Sequence, residues 1–410
     1  MTKLFFPIVF LLITILIDLY GFSAVKSLFA QSKYKVLANS IYIATIAYTL
    51  LFFVASFTFN FREQGSGFTK FLFGVLMGIF VSKILWVLFI GLEDLTRLLR
   101  FGFGKATNTI PEGGINRSEF LNIIFLMIAS LPFFSFIYGM LKTAYDYKIH
   151  RHTLYFPNLP ATFDNFKLVQ LSDIHSGTFS KKEPLIEAIK TINSLHPNLF
   201  VFTGDLVNNR SEEYTDYIDI FKNIQATHGQ FSITGNHDYG DYVQWETKDT
   251  KKDNFEQLKS YHKATNWRLL LNEHAIIEQN GEKIALIGIE NWGAKMRFAR
   301  YGNLQKAHQG TENIPFKILL SHDPSHWDAE VREQYTDIDL TLSGHTHGMQ
   351  FGVETKWFRF SPVQWVYKQW AGLYQSGKQY LYVNRGFGFI GYPGRVGIRP
   401  EITEITFKKG

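Results

Sequence analysis

The sequence predicts an N-terminal region of four transmembrane helices joined to a layered α/β domain of about 250 residues, large enough for its own core. Three observations predict it. Four apolar stretches precede residue 145. Beyond them, short apolar runs alternate with amphipathic helical patterns. Residue types that bind metals recur just after those runs, where an open α/β sheet presents its ligand-binding edge.

The first apolar stretch runs from Leu4 to Val25 and is broken by Asp18. The second is Val36–Phe61, the third Phe71–Leu92 with Lys83 inside it, and the fourth Phe120–Leu141 with Pro132 inside it. Each reaches the roughly 20 residues that a helix needs to cross a bilayer. Val36–Phe61 carries no charge at all, which excludes a wholly soluble chain. Lys3 and the first stretch would also suit a cleaved signal peptide, but three further spans follow at once, so the helix is read as retained. Pro132 is tolerable where neighbouring helices satisfy the freed carbonyl. Asp18 is read as reaching the interface and Lys83 as snorkelling, in preference to a buried ion pair or a transport site. With no inverted repeat, the region reads as an anchor and not a transporter. Basic residues divide almost evenly between the two sets of loops, so the positive-inside rule scarcely favours an external catalytic domain.

Lys+Arg number 42 against 36 Asp+Glu, a net charge of +6 without the clustered basicity of a nucleic-acid binder. With 39 Phe and 20 Tyr the chain is not disordered. The absence of cysteine excludes disulfides, zinc–thiolate sites and a thiol nucleophile. No feature demands an obligatory protein partner. The expected organisation is a membrane anchor at 1–144, a mixed linker with Pro157 and Pro160 at 145–162, and a catalytic domain at 163–410.

Within that domain, strands are expected at 166–171, 199–203, 230–234, 283–289, 316–321, 339–343, 379–383 and 401–407. Helices are expected at 184–195, where Leu185, Ile186, Ile189 and Ile192 fall near helical spacing, and at 214–224. The polar stretch 241–254 reads as a surface loop.

Five strand ends carry the chemistry. They are Ser172-Asp173-Ile174-His175, Gly204-Asp205, Gly235-Asn236-His237-Asp238, Ser321-His322-Asp323 and Gly344-His345-Thr346-His347-Gly348. Alternate spacing puts Asp173 with His175, and His345 with His347, on one side of an extended segment. Nitrogen and oxygen donors without sulfur suit Mn, Fe or Zn-class divalent ions. Seven donors exceed what one ion with open positions needs, which argues for two, the arrangement that activates water and neutralises a phosphate. Any one motif alone is weak; five in order, each closing a strand, are not. His196, His228, His262, His274, His308 and His326 lack such context and read as surface or satisfied core residues.

This ordered set resembles the calcineurin-like metallophosphoesterase superfamily, over about Phe163 to Gly410. The tail Asn384-Arg385-Gly386-Phe387-Gly388, with Arg395 and Arg399-Pro400-Glu401, is similar to the membrane-associated YkuE/YaeI-type branch, which implies a bacterial cell membrane. The resemblance implies a two-sheet β-sandwich flanked by helices. It implies that Asp173, His175 and His347 bind one metal, that Asn236, His322 and His345 bind the other, and that Asp205 bridges them. A water between the ions would attack phosphorus, with His237 as general acid and Asp238 orienting its ring. Arg385, Arg395 and Arg399 could hold a phosphate or diphosphate, and the aromatic and basic segment 356–374 could face a membrane. The expected substrate is a phosphorylated lipid or small molecule at the bilayer. A degenerate membrane scaffold or sensor, and a phosphodiesterase for a soluble substrate, are the competing readings.

Overall fold

The computed structural model describes residues 2–58, 67–107, 109, 117–296 and 298–410, in two compact units, Met1–Met140 and Leu141–Gly410. The last residues of the second expected span, 59–61, lie outside the described residues.

The first unit contains α1 (Thr2–Leu28), α2 (Lys35–Thr58), α3 (Gly67–Ala106) and α4 (Glu119–Leu141), all long and apolar enough to cross a membrane. The third helix is longer than the expected span and carries Glu93, Asp94 and Arg97 in its C-terminal part. Asp18 and Lys83 form the buried ion pair that the sequence reading set aside. Lys83 Nζ lies 2.6 Å from Asp18 Oδ1, with both side chains almost fully buried. A charge packed between α1 and α3 has no water to turn to, so a partner of opposite sign is the remaining way to offset its desolvation. Further along, Asp94 accepts hydrogen bonds from Tyr20 Oη at 2.8 Å, Arg97 Nη1 at 2.7 Å and Arg117 Nε at 2.9 Å. That carboxylate ties three parts of the unit together.

The second unit is a two-sheet sandwich. One sheet holds β1 (Lys148–Phe156), β2 (Lys167–Leu171), β3 (Leu199–Phe202), β4 (Gln230–Ser232), β5 (Arg268–Leu269) and β14 (Glu401–Lys409), in the order β1-β14-β2-β3-β4-β5. The other holds β6 (Glu273–Gln279), β7 (Glu282–Gly288), β8 (Lys317–Leu320), β9 (Leu340–Ser343), β12 (Gly372–Ser376) and β13 (Gln379–Val383), in the order β12-β13-β9-β8-β7-β6. A small hairpin, β10 (Val353–Glu354) with β11 (Arg359–Phe360), stands apart.

Alternation along the strands builds the layers. In β3, Leu199 and Val201 enter the core between the sheets with Ile233, Leu286, Ile318 and Leu342. Phe200 and Phe202 point the other way, onto Ile189 and Ile192 of α5 (Glu183–Ser194) and onto Trp267. Strands β2, β3 and β4 are mutually parallel, as are β7, β8, β9 and β13, so their C-terminal ends share an edge within each sheet.

Three expectations need correction. Residues 145–162 are not a plain linker: β1 lies there and pairs in parallel with β14 along its full length, Lys148 opposite Glu401 and Phe156 opposite Lys409. The stretch 241–254 is a loop only in its first half. Thr247 Oγ1 accepts the Thr250 amide at 3.1 Å and starts α6 (Lys248–Ala264), a polar helix whose buried stripe is Asn254, Leu258 and His262. The helix expected at 214–224 is instead a run of 3₁₀ turns, Ser211–Tyr217, followed by one α turn, Ile218–Phe221.

A candidate dinuclear metal centre

The backbone at the strand ends is unusual before any side chain is considered. Asp173 (φ 52°), His175 (46°), Asp205 (62°), His345 (71°) and His347 (52°) all occupy the left-handed region. Non-glycine residues enter it at a cost of order 1–3 kcal/mol each, and such strain persists where the surroundings over-determine it. Space is equally constrained. A methyl group on Gly344 would collide with the carboxylate of Asp173, and one on Gly235 with that of Asp205. The glycines of these motifs therefore let two strand ends approach a carboxylate closely.

Two groups of ligand atoms result. Asp173, His175 and His347 form one, and Asp205, His322 and His345 the other. In the first, His175 Nε2 lies 3.0 Å from His347 Nε2, and His347 Nε2 lies 3.2 Å from Asp173 Oδ1. In the second, His322 Nε2 lies 3.1 Å from Asp205 Oδ2. The same Oδ2 is 3.6 Å from His175 Nε2, so one carboxylate oxygen faces both groups. Its other oxygen, Oδ1, accepts the His237 amide at 2.8 Å.

The hydrogen bonds around the rings fix which nitrogens carry protons. His322 Nδ1 sits 2.7 Å from the carbonyl oxygen of Thr203, which requires a proton on Nδ1 and leaves Nε2 as the nitrogen that faces Asp205. His345 Nε2 lies 3.0 Å from Tyr367 Oη, while its buried Nδ1 has no hydrogen-bond partner. Asn236 donates from Nδ2 to Tyr242 Oη at 2.8 Å, and its buried Oδ1 is likewise unpartnered. Buried lone pairs without partners on His345 and Asn236, beside the two His/Asp groups, are what a divalent cation satisfies, and the donor set fits two such ions. Burial holds His175, His345 and His347 below the ordinary imidazole pKa, in the neutral form that binds metal. For His322 burial acts the same way but is outweighed by Asp205, and the pKa rises to about 10. That site therefore favours positive charge.

The remaining expected residues are placed less uniformly. His237 is half-buried beside the first group, its ring centroid 5.0 Å from that of His175 and 4.6 Å from that of Tyr242. Its Nδ1 is held by the carbonyl oxygen of Asn208 at 2.6 Å. Asp238 does not orient that ring. Its carboxylate accepts the amides of Gly235 (2.8 Å), Asp205 (3.0 Å), Leu206 (2.8 Å) and Val207 (3.3 Å), bracing the turn that carries Asp205. Burial and the Asp205 charge push its pKa upward, and these amides oppose the rise.

None of the three arginines is placed as a free anion ligand. Arg385 is buried between Glu354 and Glu401, donating from Nε to Glu354 Oε2 at 3.0 Å and from Nη1 to Glu401 Oε2 at 2.6 Å. Arg395 is fully buried and donates to the carbonyls of Arg385 (2.6 Å), Gly386 (3.0 Å) and Gly388 (3.1 Å). Arg399 is half-exposed and pairs with Asp146 at 3.1 Å. A buried guanidinium must find acceptors, and the chain supplies them from its own backbone and carboxylates.

Tyr367, Tyr242 and Asn208 are contacts that motif reading missed. Asp323 stood in the Ser321-His322-Asp323 strand end without a role, and its Oδ2 accepts from Tyr367 Oη at 3.3 Å. The tyrosines lie outside the motifs, and only the tertiary fold brings them in.

A sandwich whose strand ends converge on two His/Asp groups sharing one carboxylate defines a metal-dependent phosphoesterase class. The comparisons agree. Residues 166–349 match the family model "Calcineurin-like phosphoesterase", and residues 2–144 match "Probable Calcineurin-like phosphoesterase, transmembrane domain". The chain is 32% identical over 265 residues to "Uncharacterized metallophosphoesterase YkuE" of Bacillus subtilis, covering 63% of this chain and 84% of that one. It is 29% identical over 343 residues to a "Transmembrane protein with metallophosphoesterase domain" of Danio rerio, covering 81% and 72%. It is 25% identical over 287 residues to YkoQ of Bacillus subtilis, covering 68% and 97%. The chain belongs to the calcineurin-like phosphoesterase family, as an integral membrane hydrolase.

Proposed function

We propose that the protein hydrolyses a phosphoester or diphosphate bond of a lipid-linked substrate, using water activated at the paired metal sites. The observation that carries the reading is Asp205 Oδ2, set 3.1 Å from His322 and 3.6 Å from His175. A carboxylate so placed would be shared by two cations, which Asp173, His175 and His347 would hold on one side and Asn236, His322 and His345 on the other. Bound there, two divalent ions lower the pKa of a water and neutralise charge on the phosphate. The Asn208 carbonyl accepts from Nδ1 of His237 and holds the ring, so an imidazolium at this position would give its second proton, from Nε2, to the leaving oxygen. Tyr367 and Asp323 keep the His345 ring turned with Nδ1 inward.

The lipid part of the reading rests on the tether. Helix α4 ends at Leu141 and β1 begins at Lys148. The six residues 142–147 between them span about 20 Å even when fully extended. Residues 1–144 then serve as an anchor that keeps the hydrolase where a lipid substrate is concentrated. The test uses the purified full-length protein. Metal content and activity on a bis-nitrophenyl phosphodiester establish the chemistry. Matched long-chain and short-chain phospholipid esters establish the substrate class. Equal kcat/KM on both chain lengths removes the lipid assignment, and two bound metals without turnover on any phosphoester removes the hydrolytic one.

A further inference from the structure

The aromatic segment after the last metal motif divides sharply. Tyr367 and Trp370 are buried, and Tyr367 touches His345. Trp357, by contrast, is 94% exposed, Trp365 75% and Phe358 57%. These three are held in place. The Thr355 amide donates to the Phe358 carbonyl at 2.8 Å, and the Phe358 amide donates to Thr355 Oγ1 at 2.9 Å, closing a turn with Lys356 and Trp357 at its tip. Phe360 packs between Phe358 and Trp365, with ring centroids 6.3 Å and 5.9 Å away. An ordered ridge of indoles in water is costly unless something covers it.

Charge indicates what covers it. Residues 355–370 contain no Asp or Glu, whereas Lys356 and Lys368 are exposed. The flanking carboxylate, Glu354, is committed to Arg385. Tryptophan beside lysine, with no acid, fits the headgroup layer of an anionic bilayer, and this chain already carries membrane-spanning helices six residues upstream of β1. We infer that the Trp357–Phe358–Trp365 ridge is a bilayer-docking element that seats its rings among lipid headgroups. Because Trp365 precedes Tyr367 by only two positions, the docked ridge puts the metal centre beside the lipid surface. This last step rests on the proposed function; docking itself does not.

The chain has no cysteine, so Trp357→Cys can be labelled with an environment-sensitive fluorophore at one position. The full-length protein is placed in phosphatidylcholine–phosphatidylglycerol vesicles doped with a doxyl-lipid quencher. A label at Lys190→Cys, on the exposed side of α5, is the reference. Quenching several-fold stronger at 357 than at 190, reduced when phosphatidylglycerol is omitted, is the expected result. Equal quenching at the two positions overturns docking. So does shielding at 357 that follows protein concentration instead of lipid, since a second copy or a protein then covers the ridge. A Trp357→Ser/Trp365→Ser variant separates the two readings. A raised KM for a vesicle-borne long-chain ester, with a soluble short-chain ester unaffected, ties docking to the substrate. Strong quenching with no change on either ester keeps the docking element and removes the lipid substrate.

Discussion

The Nε2 atoms of His175 and His347 face each other at 3.0 Å, and burial keeps both rings below the usual imidazole pKa. Two neutral imidazoles can satisfy such a contact only if one presents a proton and the other a lone pair. With Asp173 Oδ1 at 3.2 Å from His347 Nε2, a cation satisfies all three at once. The strained backbone of Asp173, His175 and His347 makes the same point, because the fold holds them at unfavourable φ to keep these atoms together.

Asp205→Asn is therefore expected to lower turnover more than any substitution of a ligand confined to one group, by roughly 10²–10³ or more, the scale of a lost preorganised charge-stabilising group. Metal content should fall below two per chain. Elemental analysis alongside turnover checks both. Near wild-type turnover with two metals retained would rule out the bridging role.

Much of this site was legible in the sequence, for a local reason. Apolar β-branched and aromatic runs end abruptly in glycine-flanked polar residues, and strand direction brings those ends together. What was not legible depended on distant partners. Strand β1 alternates His150, His152 and Leu154, which reads as mixed polarity until β14, some 250 residues away, supplies its partner. The arginines read as anion ligands because their acceptors are set by the fold: Glu354 and Glu401 for Arg385, backbone carbonyls for Arg395 and Asp146 for Arg399. Asp238 adjoins His237 in sequence, but the turn directs its carboxylate to the backbone amides of Gly235, Asp205, Leu206 and Val207.

His237→Ala and Asp238→Ala should separate cleanly. The first should keep both metals and lose roughly 10²–10⁴ in turnover, with a smaller loss on nitrophenyl esters, whose leaving group needs no proton. The second strips the acceptor from four amides around Asp205, so metal content and thermal stability should fall together. Metal loss in the His237 variant, or intact metal and stability in the Asp238 variant, would reverse these roles.

Arg385→Ala should act on stability and not on substrate affinity. Burial alone would raise the Glu401 pKa, but Arg385 pulls it down to about 2, so the variant leaves a buried carboxylate uncompensated. Breaking such a pair costs about 3–5 kcal/mol. Denaturant midpoints should drop while KM of the surviving folded enzyme stays near wild type. Arg399→Ala removes only the half-exposed contact with Asp146 and should cost about 1 kcal/mol or less. A large rise in KM with unchanged stability in either variant would restore a substrate role.

Acid sensitivity should trace in part to His262, which is buried on α6 with Nδ1 2.9 Å from Ser232 Oγ. Burial depresses its folded-state pKa to about 3, against about 6.5 when unfolded. Between those values the unfolded chain holds a proton that the folded chain lacks. Stability from this group is thus complete above about pH 6.5 and is lost as pH falls toward 3, by up to about 1.4 kcal/mol per unit. His262→Asn keeps an amide near the Nδ1 position and cannot charge. Its cavity lowers stability at every pH, so the informative quantity is the slope. His150 and His152, also held low by burial, remain in both proteins and cancel in the comparison. Thermal melts of the two proteins from neutral pH downward should converge as pH falls. Parallel curves would show that His262 does not couple folding to acid.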